Sequence, residues 1–290
     1  MKVGLIGLGS LGKAIAKRLL SLGVDLSVWN RTKAKAEELG LVSAESPCAL
    51  ASSCDVLLLV LFDSASVYKV LFGEDGLCLA KLRGKLIVDI TTNHPEFTKL
   101  AYEKLKEFGI SYLEAPVLGS VKPALSGELT MLVSGQLEAF ESARPLLEKI
   151  AKTIIYSGQV GNASKLKLIN NLVLGTFMQA ICESIALGEE LGFDRQTIIQ
   201  VLKNGAGRSY ILDAKTDKLL SRDYSPHFSI ELIEKDLSYL EEVIGKSGLF
   251  SLCLSSAKNA YRIAISLGLA KEDFSSLAEI FSLIKNPRDT

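Results

Sequence analysis

Lys2-Val3-Gly4-Leu5-Ile6-Gly7-Leu8-Gly9-Ser10-Leu11-Gly12 opens the chain as a short apolar run that passes straight into a glycine-rich turn, and the helical pattern Ala14, Ile15, Leu19, Leu20 follows. Strand, G-x-G-x-x-G turn and helix, in that order, begin a βαβ dinucleotide-binding unit. Gly7 permits the tight turn, Gly9 lets backbone approach a pyrophosphate, and Gly12 lets the helix pack close to the strand. The helix that follows offers free N–H groups and a positive dipole end to an anion. Leu8, Ser10 and Leu11 complete the turn, so the whole of Gly7 to Gly12 is expected to bind the cofactor. The other reading is a structural turn in some different α/β domain, and the strand before and helix after the glycines favour dinucleotide binding over it.

The next strand, Leu26-Ser27-Val28-Trp29, ends where an NAD site usually places Asp or Glu on the ribose 2′-hydroxyl. Here Asn30, Arg31 and Thr32 stand instead, followed by Lys33 and Lys35. A carboxylate would repel a 2′-phosphate, whereas guanidinium and hydroxyl groups bind one through charge-assisted hydrogen bonds. NADP is therefore expected rather than NAD, held in part by Asn30, Arg31 and Thr32. A solvated helix start is enough to explain Lys33 and Lys35.

Further along, Asp55–Leu61 and Lys85–Ile90 are continuous apolar runs of the kind buried on both faces of a parallel sheet. Helical segments are expected around Thr32–Leu39, Ala65–Leu71 and Pro95–Phe108, and further strands at Ile110–Ala115 and Leu129–Ser134. Alternating strands and helices predict a doubly wound parallel sheet of Rossmann type, with ligand at the carboxyl ends of its strands. That placement adds Leu61 to the cofactor-binding residues. From about Gly161 the pattern turns to long helical periodicity: Ala163–Leu191 as one long helix, then Asp194–Asn204, Ile211–Leu220, Ile230–Lys246 and Ser255–Leu267. The expected organisation is an α/β Rossmann domain over residues 1–160, then an all-α domain over 161–290 joined to it by the long helix.

Composition narrows the class. The chain has 290 residues, 48% of them hydrophobic and 23% charged, which suits a globular protein with ample core. Lys plus Arg equals Asp plus Glu at 33 each, so no basic surplus points to nucleic acid or an anionic membrane. The apolar N-terminal strand is interrupted at once by glycine, unlike a signal peptide, and no run of about eighteen apolar residues suggests a membrane span. Five scattered cysteines and two histidines form no metal-ligand pattern and suit reduced thiols in a cytoplasmic protein.

Three segments carry polar groups where chemistry is expected. Asp89-Ile90-Thr91-Thr92-Asn93 ends a strand, and its side chains can serve a ligand or cap the helix beginning at Pro95. Glu114-Ala115-Pro116-Val117-Leu118-Gly119-Ser120 enters a turn whose N–H groups can face a carboxylate, or is a plain loop. Lys167 and Asn171 stand one turn apart on the long helix. A lysine on an otherwise apolar helix is costly unless paired or functional, and burial brings its pKa toward that of a general acid, although snorkelling to solvent is the commoner fate.

In sequence order, GLGSLG with NRT, DITTNHP, EAPVLGSVKPALSGELT, GNASKLKLINN and EKDLSYL resemble the β-hydroxyacid dehydrogenase family nearly end to end. That family includes 3-hydroxyisobutyrate dehydrogenases and, as the nearer match, glyoxylate/succinic semialdehyde reductases. The resemblance implies an NADP(H)-dependent reductase of a small carboxyl-bearing aldehyde or 2-oxo acid. Lys167 would donate the proton to the developing alkoxide, and Asn171 would hold substrate and lysine in register. Thr92, Gly119 and Ser120 would bind the substrate carboxylate, with Thr92 also beside the cofactor. Lys235 would lie by the nicotinamide with Asp236 beside it on the substrate side, and Phe228 would wall the pocket. A homodimer or homotetramer is implied, with a small molecule as the other partner. Related readings are a 3-hydroxyisobutyrate-type dehydrogenase working oxidatively and a non-catalytic NADP-binding module; the latter, like the imine reductases on this scaffold, tends to lack the helix lysine. Leu118 departs from the family, which commonly has Ser there to grip the substrate carboxylate, and the departure bears on substrate more than on reaction.

Overall fold

The computed structural model describes residues 1–80 and 84–285, so the last five residues of the expected helical domain lie outside it. The chain divides into two compact units, Met1–Lys167 and the remainder from Leu168.

The first unit is built on β1 (Val3–Ile6), α1 (Ser10–Ser21), β2 (Leu26–Trp29), α2 (Ala34–Glu37), α3 (Pro47–Ser53), β3 (Val56–Leu59), α4 (Ser64–Phe72), β4 (Leu86–Asp89), α5 (Pro95–Glu107) and β5 (Ser111–Glu114). After these come β6 (Val117–Leu118), α6 (Val121–Ser126), β7 (Leu129–Gly135), α7 (Leu137–Leu147) and β8 (Ala151–Tyr156). The strand order is β2-β1-β3-β4-β5-β7-β6, with β8 pairing to β7. β1 to β5 are parallel, and alternate residues feed two separate cores: Val56 and Leu58 face one, Leu57 and Leu59 the other. Burial of both faces of β1, β3 and β4 explains their unbroken apolar runs, whereas edge strand β2 is only half-buried at Ser27 and Trp29.

The sheet is not parallel throughout. β7 runs antiparallel to β5 and β6, because only a six-residue helix separates β6 from β7 and no full crossover is made. Sequence periodicity also passes over α3, α6, α7, β6 and β8. β8 reads Ala-Lys-Thr-Ile-Ile-Tyr and is exposed at Lys152, Thr153 and Ile155, so it lacks the continuous apolar run that marks its neighbours. α7 carries Pro145, which obscures its helical pattern.

The long helix α8 (Asn162–Glu190) starts in the first unit and continues into the second, where α9 (Arg195–Asn204), α10 (Tyr210–Ser221), α11 (Ile230–Gly245), α12 (Leu252–Ser266) and α13 (Ile280–Lys285) follow. Met178, Ile181, Cys182 and Ile185 of α8 pack with Ile233 and Leu237 of α11 and Leu254 and Tyr261 of α12. Tyr261 donates its hydroxyl to the Gly175 carbonyl at 3.0 Å, so its one polar group is satisfied inside this core. By length and mean hydropathy α8 passes the test for a membrane-crossing helix, a test that the core helix of a soluble protein also passes.

Candidate active site

In the first unit the strand order reverses between β1 and β3, the position at which doubly wound sheets open a crevice for a ligand. The turn from β1 occupies that position. Gly7 has φ +99°, and a Cβ there would come within 2.2 Å of the Val60 carbonyl oxygen; a Cβ on Gly12 would lie 2.0 Å from that of Gly7. Neither residue tolerates a side chain, so turn, α1 and β3 are locked together. Gly9 differs, because a Cβ there would meet nothing within 4 Å. The chain is bare at Gly9 for no internal reason, which fits a position kept clear for a dinucleotide at the head of α1.

Asn30 ties this turn to β2. Its Oδ1 accepts from the Leu8 N–H at 2.9 Å and its Nδ2 donates to the Thr32 carbonyl at 2.9 Å. Arg31 and Thr32 are exposed beyond it, and among the described residues Arg31 has no carboxylate in ion-pair range. Leu61 follows β3, and its N–H donates to Thr91 Oγ1 at 3.0 Å, joining the ends of β3 and β4 next to Thr92. Asp89, fully buried, holds the same turn: it accepts from the Thr91 N–H (3.0 Å), Asn93 Nδ2 (2.8 Å) and the Tyr112 hydroxyl (3.0 Å). The Thr91–Asn93 segment is therefore shaped by a buried carboxylate, while the capping bond to the Glu96 N–H comes from His94. Gly119 adopts φ +112° and Ser120 precedes α6, while Leu118 pairs with Thr130 in the β6–β7 ladder.

Lys167 is buried on α8, 8% exposed. Asn171, one turn on, is fully buried and belongs to a charged network in the second unit. Its Nδ2 donates to Asp236 Oδ2 at 2.6 Å, while Lys235 Nζ donates to Asp236 Oδ1 at 2.7 Å. Both oxygens of Asp236, itself 1% exposed, are thus engaged, and the Lys235 ammonium also lies 4.9 Å from the centre of the Tyr239 ring. Phe228 packs edge-on against Phe274 with centroids 5.6 Å apart. Buried Asp273 fixes that corner, accepting from Lys215 and from the N–H groups of His227 and Phe228. Burial works to raise the Asp273 pKa, but the Lys215 ammonium beside it overcomes that and keeps it below the usual carboxylate value.

The glycine turn, the lysine on a helix and the Asn–Asp–Lys network coincide with two family matches. Residues 2–158 match the NAD binding domain of 6-phosphogluconate dehydrogenase, and residues 161–281 match the NAD-binding domain of NADP-dependent 3-hydroxyisobutyrate dehydrogenase. The chain belongs to the β-hydroxyacid dehydrogenase family. It is 34% identical to glyoxylate/succinic semialdehyde reductase 1 of Arabidopsis thaliana over 283 residues, covering 96% of this chain and 98% of the relative. The chloroplastic reductase 2 of the same plant is 32% identical over 292 residues, 99% of this chain and 81% of the relative. Among solved structures, Psf3 in complex with NADP+ and 2-OPP superposes with a TM-score of 0.88 at 29% identity, covering 96% of this chain and 99% of that one. The protein is thus an oxidoreductase, an NAD(P)-dependent hydroxyacid dehydrogenase.

Two buried carboxylates of this dehydrogenase have roles that spacing alone does not disclose. Asp89 and Glu114 are register partners at the ends of β4 and β5. In the sequence each is a charge at the end of a strand within a segment already marked as polar, with nothing to say which groups it grips. Burial pushes the Asp89 pKa up to about 6 from 3.8, against the bonds from Thr91, Tyr112 and Asn93. The native state therefore holds this proton more tightly than the unfolded chain. Its stabilising contribution is complete below about pH 4 and is lost as pH rises through about 6, a difference of about 3 kcal/mol. Asp89→Asn is expected to remove that descending component, seen as a smaller fall in denaturant midpoint between about pH 4 and about pH 7; an unchanged profile would contradict the assignment.

Proposed function

We propose that this dehydrogenase uses NADPH to reduce a small aldehyde or 2-oxo acid bearing a carboxylate, of the glyoxylate or succinic semialdehyde type, with Lys167 as proton donor. The observation that carries this is the buried Lys167 on α8, one turn from an Asn171 whose amide is oriented by Asp236. When bound, the reduced nicotinamide supplies a hydride to the carbonyl carbon. Lys167, as ammonium, stabilises the negative charge that grows on the carbonyl oxygen and then protonates it. Asn171 keeps the oxygen and the lysine in register. Asp236 acts through Asn171 and Lys235, because both its oxygens are already committed to them.

NADPH is favoured over NADH by an exposed guanidinium at the end of β2, where NAD sites place an acid. Carboxylate recognition rests on Thr92, Ser120 and the N–H groups of the Gly119 turn, with Lys122 near by in sequence. Leu118 sits in the strand before that turn and offers no hydroxyl, which favours a substrate gripped by fewer donors.

The test is NADPH oxidation, followed by absorbance, against glyoxylate, succinic semialdehyde, methylmalonate semialdehyde and an imine. Turnover of a carboxyl-bearing aldehyde is expected, with none of the imine. Leu118→Ser is expected to lower KM for the preferred acid about tenfold to a hundredfold, in line with one added hydrogen bond to a charged group worth about 1.5–3 kcal/mol. Tight NADPH binding without turnover of any aldehyde would contradict the reading.

A further inference from the structure

Glu114 and the first turn of α8 form a junction that the proposed mechanism does not use. Glu114 closes β5 and is 1% exposed. One of its oxygens accepts from the N–H groups of Gly161 and Ala163, the latter at 3.2 Å. The other accepts from the Ser164 N–H at 3.1 Å and from the Ser164 hydroxyl. Ser134 on β7 takes a second bond from the Ala163 N–H at 2.9 Å, and Thr98 on α5 meets the Ser164 hydroxyl at 3.3 Å. The donors are those a helix leaves without partners at its N-terminus, and the dipole there favours a negative charge.

A cap of this kind is costly. Burial drives the Glu114 pKa up in spite of its hydrogen bonds, whereas a local Ser or Asn would end the helix with less desolvation. What a carboxylate from the sheet adds is rigidity between two separate elements. Ser164 and Lys167 are three residues apart and share a helix face. The residue clamped to β5 is thus the neighbour of the proposed proton donor.

We propose that Glu114 is a positioning residue for Lys167: it sets the height and rotation of the first turn of α8 on β5, so that the ammonium stands at one place. The proposal rests on the reading of Lys167 as proton donor. An α-helix turns about 100° and rises about 1.5 Å per residue, so a first turn that slips or unwinds displaces the lysine by more than its chemistry tolerates. Misplacement by about 1 Å can cost about a hundredfold in rate.

The experiment is a double-mutant cycle in the full-length enzyme. Glu114→Gln keeps the size of the side chain but exchanges one acceptor oxygen for an amide donor. It is expected to lower kcat about tenfold to a hundredfold while KM for NADPH stays within about twofold. Ser164→Ala should show a smaller loss of the same kind, and Ser164→Thr, which retains a hydroxyl, should recover most of the rate. In a Lys167→Ala background, Glu114→Gln should cost nothing further, because the group it positions is gone. An equal loss in both backgrounds overturns the proposal. So does a lower melting temperature with kcat per folded molecule unchanged, which makes Glu114 a cap and nothing more. If Glu114→Gln fails to fold, the Ser164 variants carry the same cycle. Full activity of Lys167→Ala alone would sink the underlying reading of Lys167, and that single variant reveals it before the cycle is run.

Discussion

Lys167→Ala is expected to bind NADPH as the parent enzyme does and to lose about a hundredfold to ten-thousandfold in kcat, the usual contribution of a positioned general acid. The residue is 8% exposed on a helix whose first turn is clamped to the sheet, so its backbone is fixed and little of its side chain meets water. Shielding strengthens its attraction for an oxyanion, and pre-placement means that nothing has to reorganise as the charge develops. Alanine leaves neither a charge nor a proton. Lys167→Arg should rescue little, since a guanidinium keeps the charge but does not release a proton near neutrality and is the wrong shape for the site. The measurement is single-turnover NADPH oxidation with the substrate that the panel identifies, beside NADPH binding by fluorescence. A variant that binds NADPH and still turns over at the parent rate removes the mechanism.

Arg31→Asp should reverse the choice of cofactor. The guanidinium stands exposed where β2 ends, without a carboxylate in ion-pair range among the described residues. It is therefore available to a 2′-phosphate through charge-assisted hydrogen bonds worth about 1.5–3 kcal/mol each. Replacement by aspartate removes them and sets a carboxylate against the phosphate, so kcat/KM with NADPH should fall about a hundredfold or more. NADH lacks that phosphate, and its kcat/KM should change little or improve as the new carboxylate meets the ribose hydroxyls. Asn30 should stay untouched in such a variant, because it braces the glycine turn through the Leu8 N–H. Equal losses with the two cofactors would mean that Arg31 supports the fold at that corner and reads no phosphate.

Much of the first unit was legible because its signals are local. The glycine turn shows as a fixed spacing over six residues, although the contact that excludes a side chain at Gly7 comes from Val60 beyond β3, and the apolar runs of β1, β3 and β4 report burial on both sheet faces. The edge of the sheet was not legible, since β8 is half exposed and resembles a loop in composition. The antiparallel turn of β7 was hidden for another reason. A strand's direction relative to its neighbour depends on the length and path of the connection, and a six-residue helix looks like part of a loop.

The site divides along the same line. The glycine turn, the missing acid after β2, and the helical spacing of Lys167 and Asn171 can be read from the chain, since each is a pattern over a few neighbouring residues. Folding alone buries Lys167 and engages both oxygens of Asp236 with Asn171 and Lys235. It alone brings Glu114 to grip the start of α8, fifty residues ahead. A buried carboxylate takes its partners from whatever donors folding brings within 3 Å or so, and those donors leave no periodic trace in the chain.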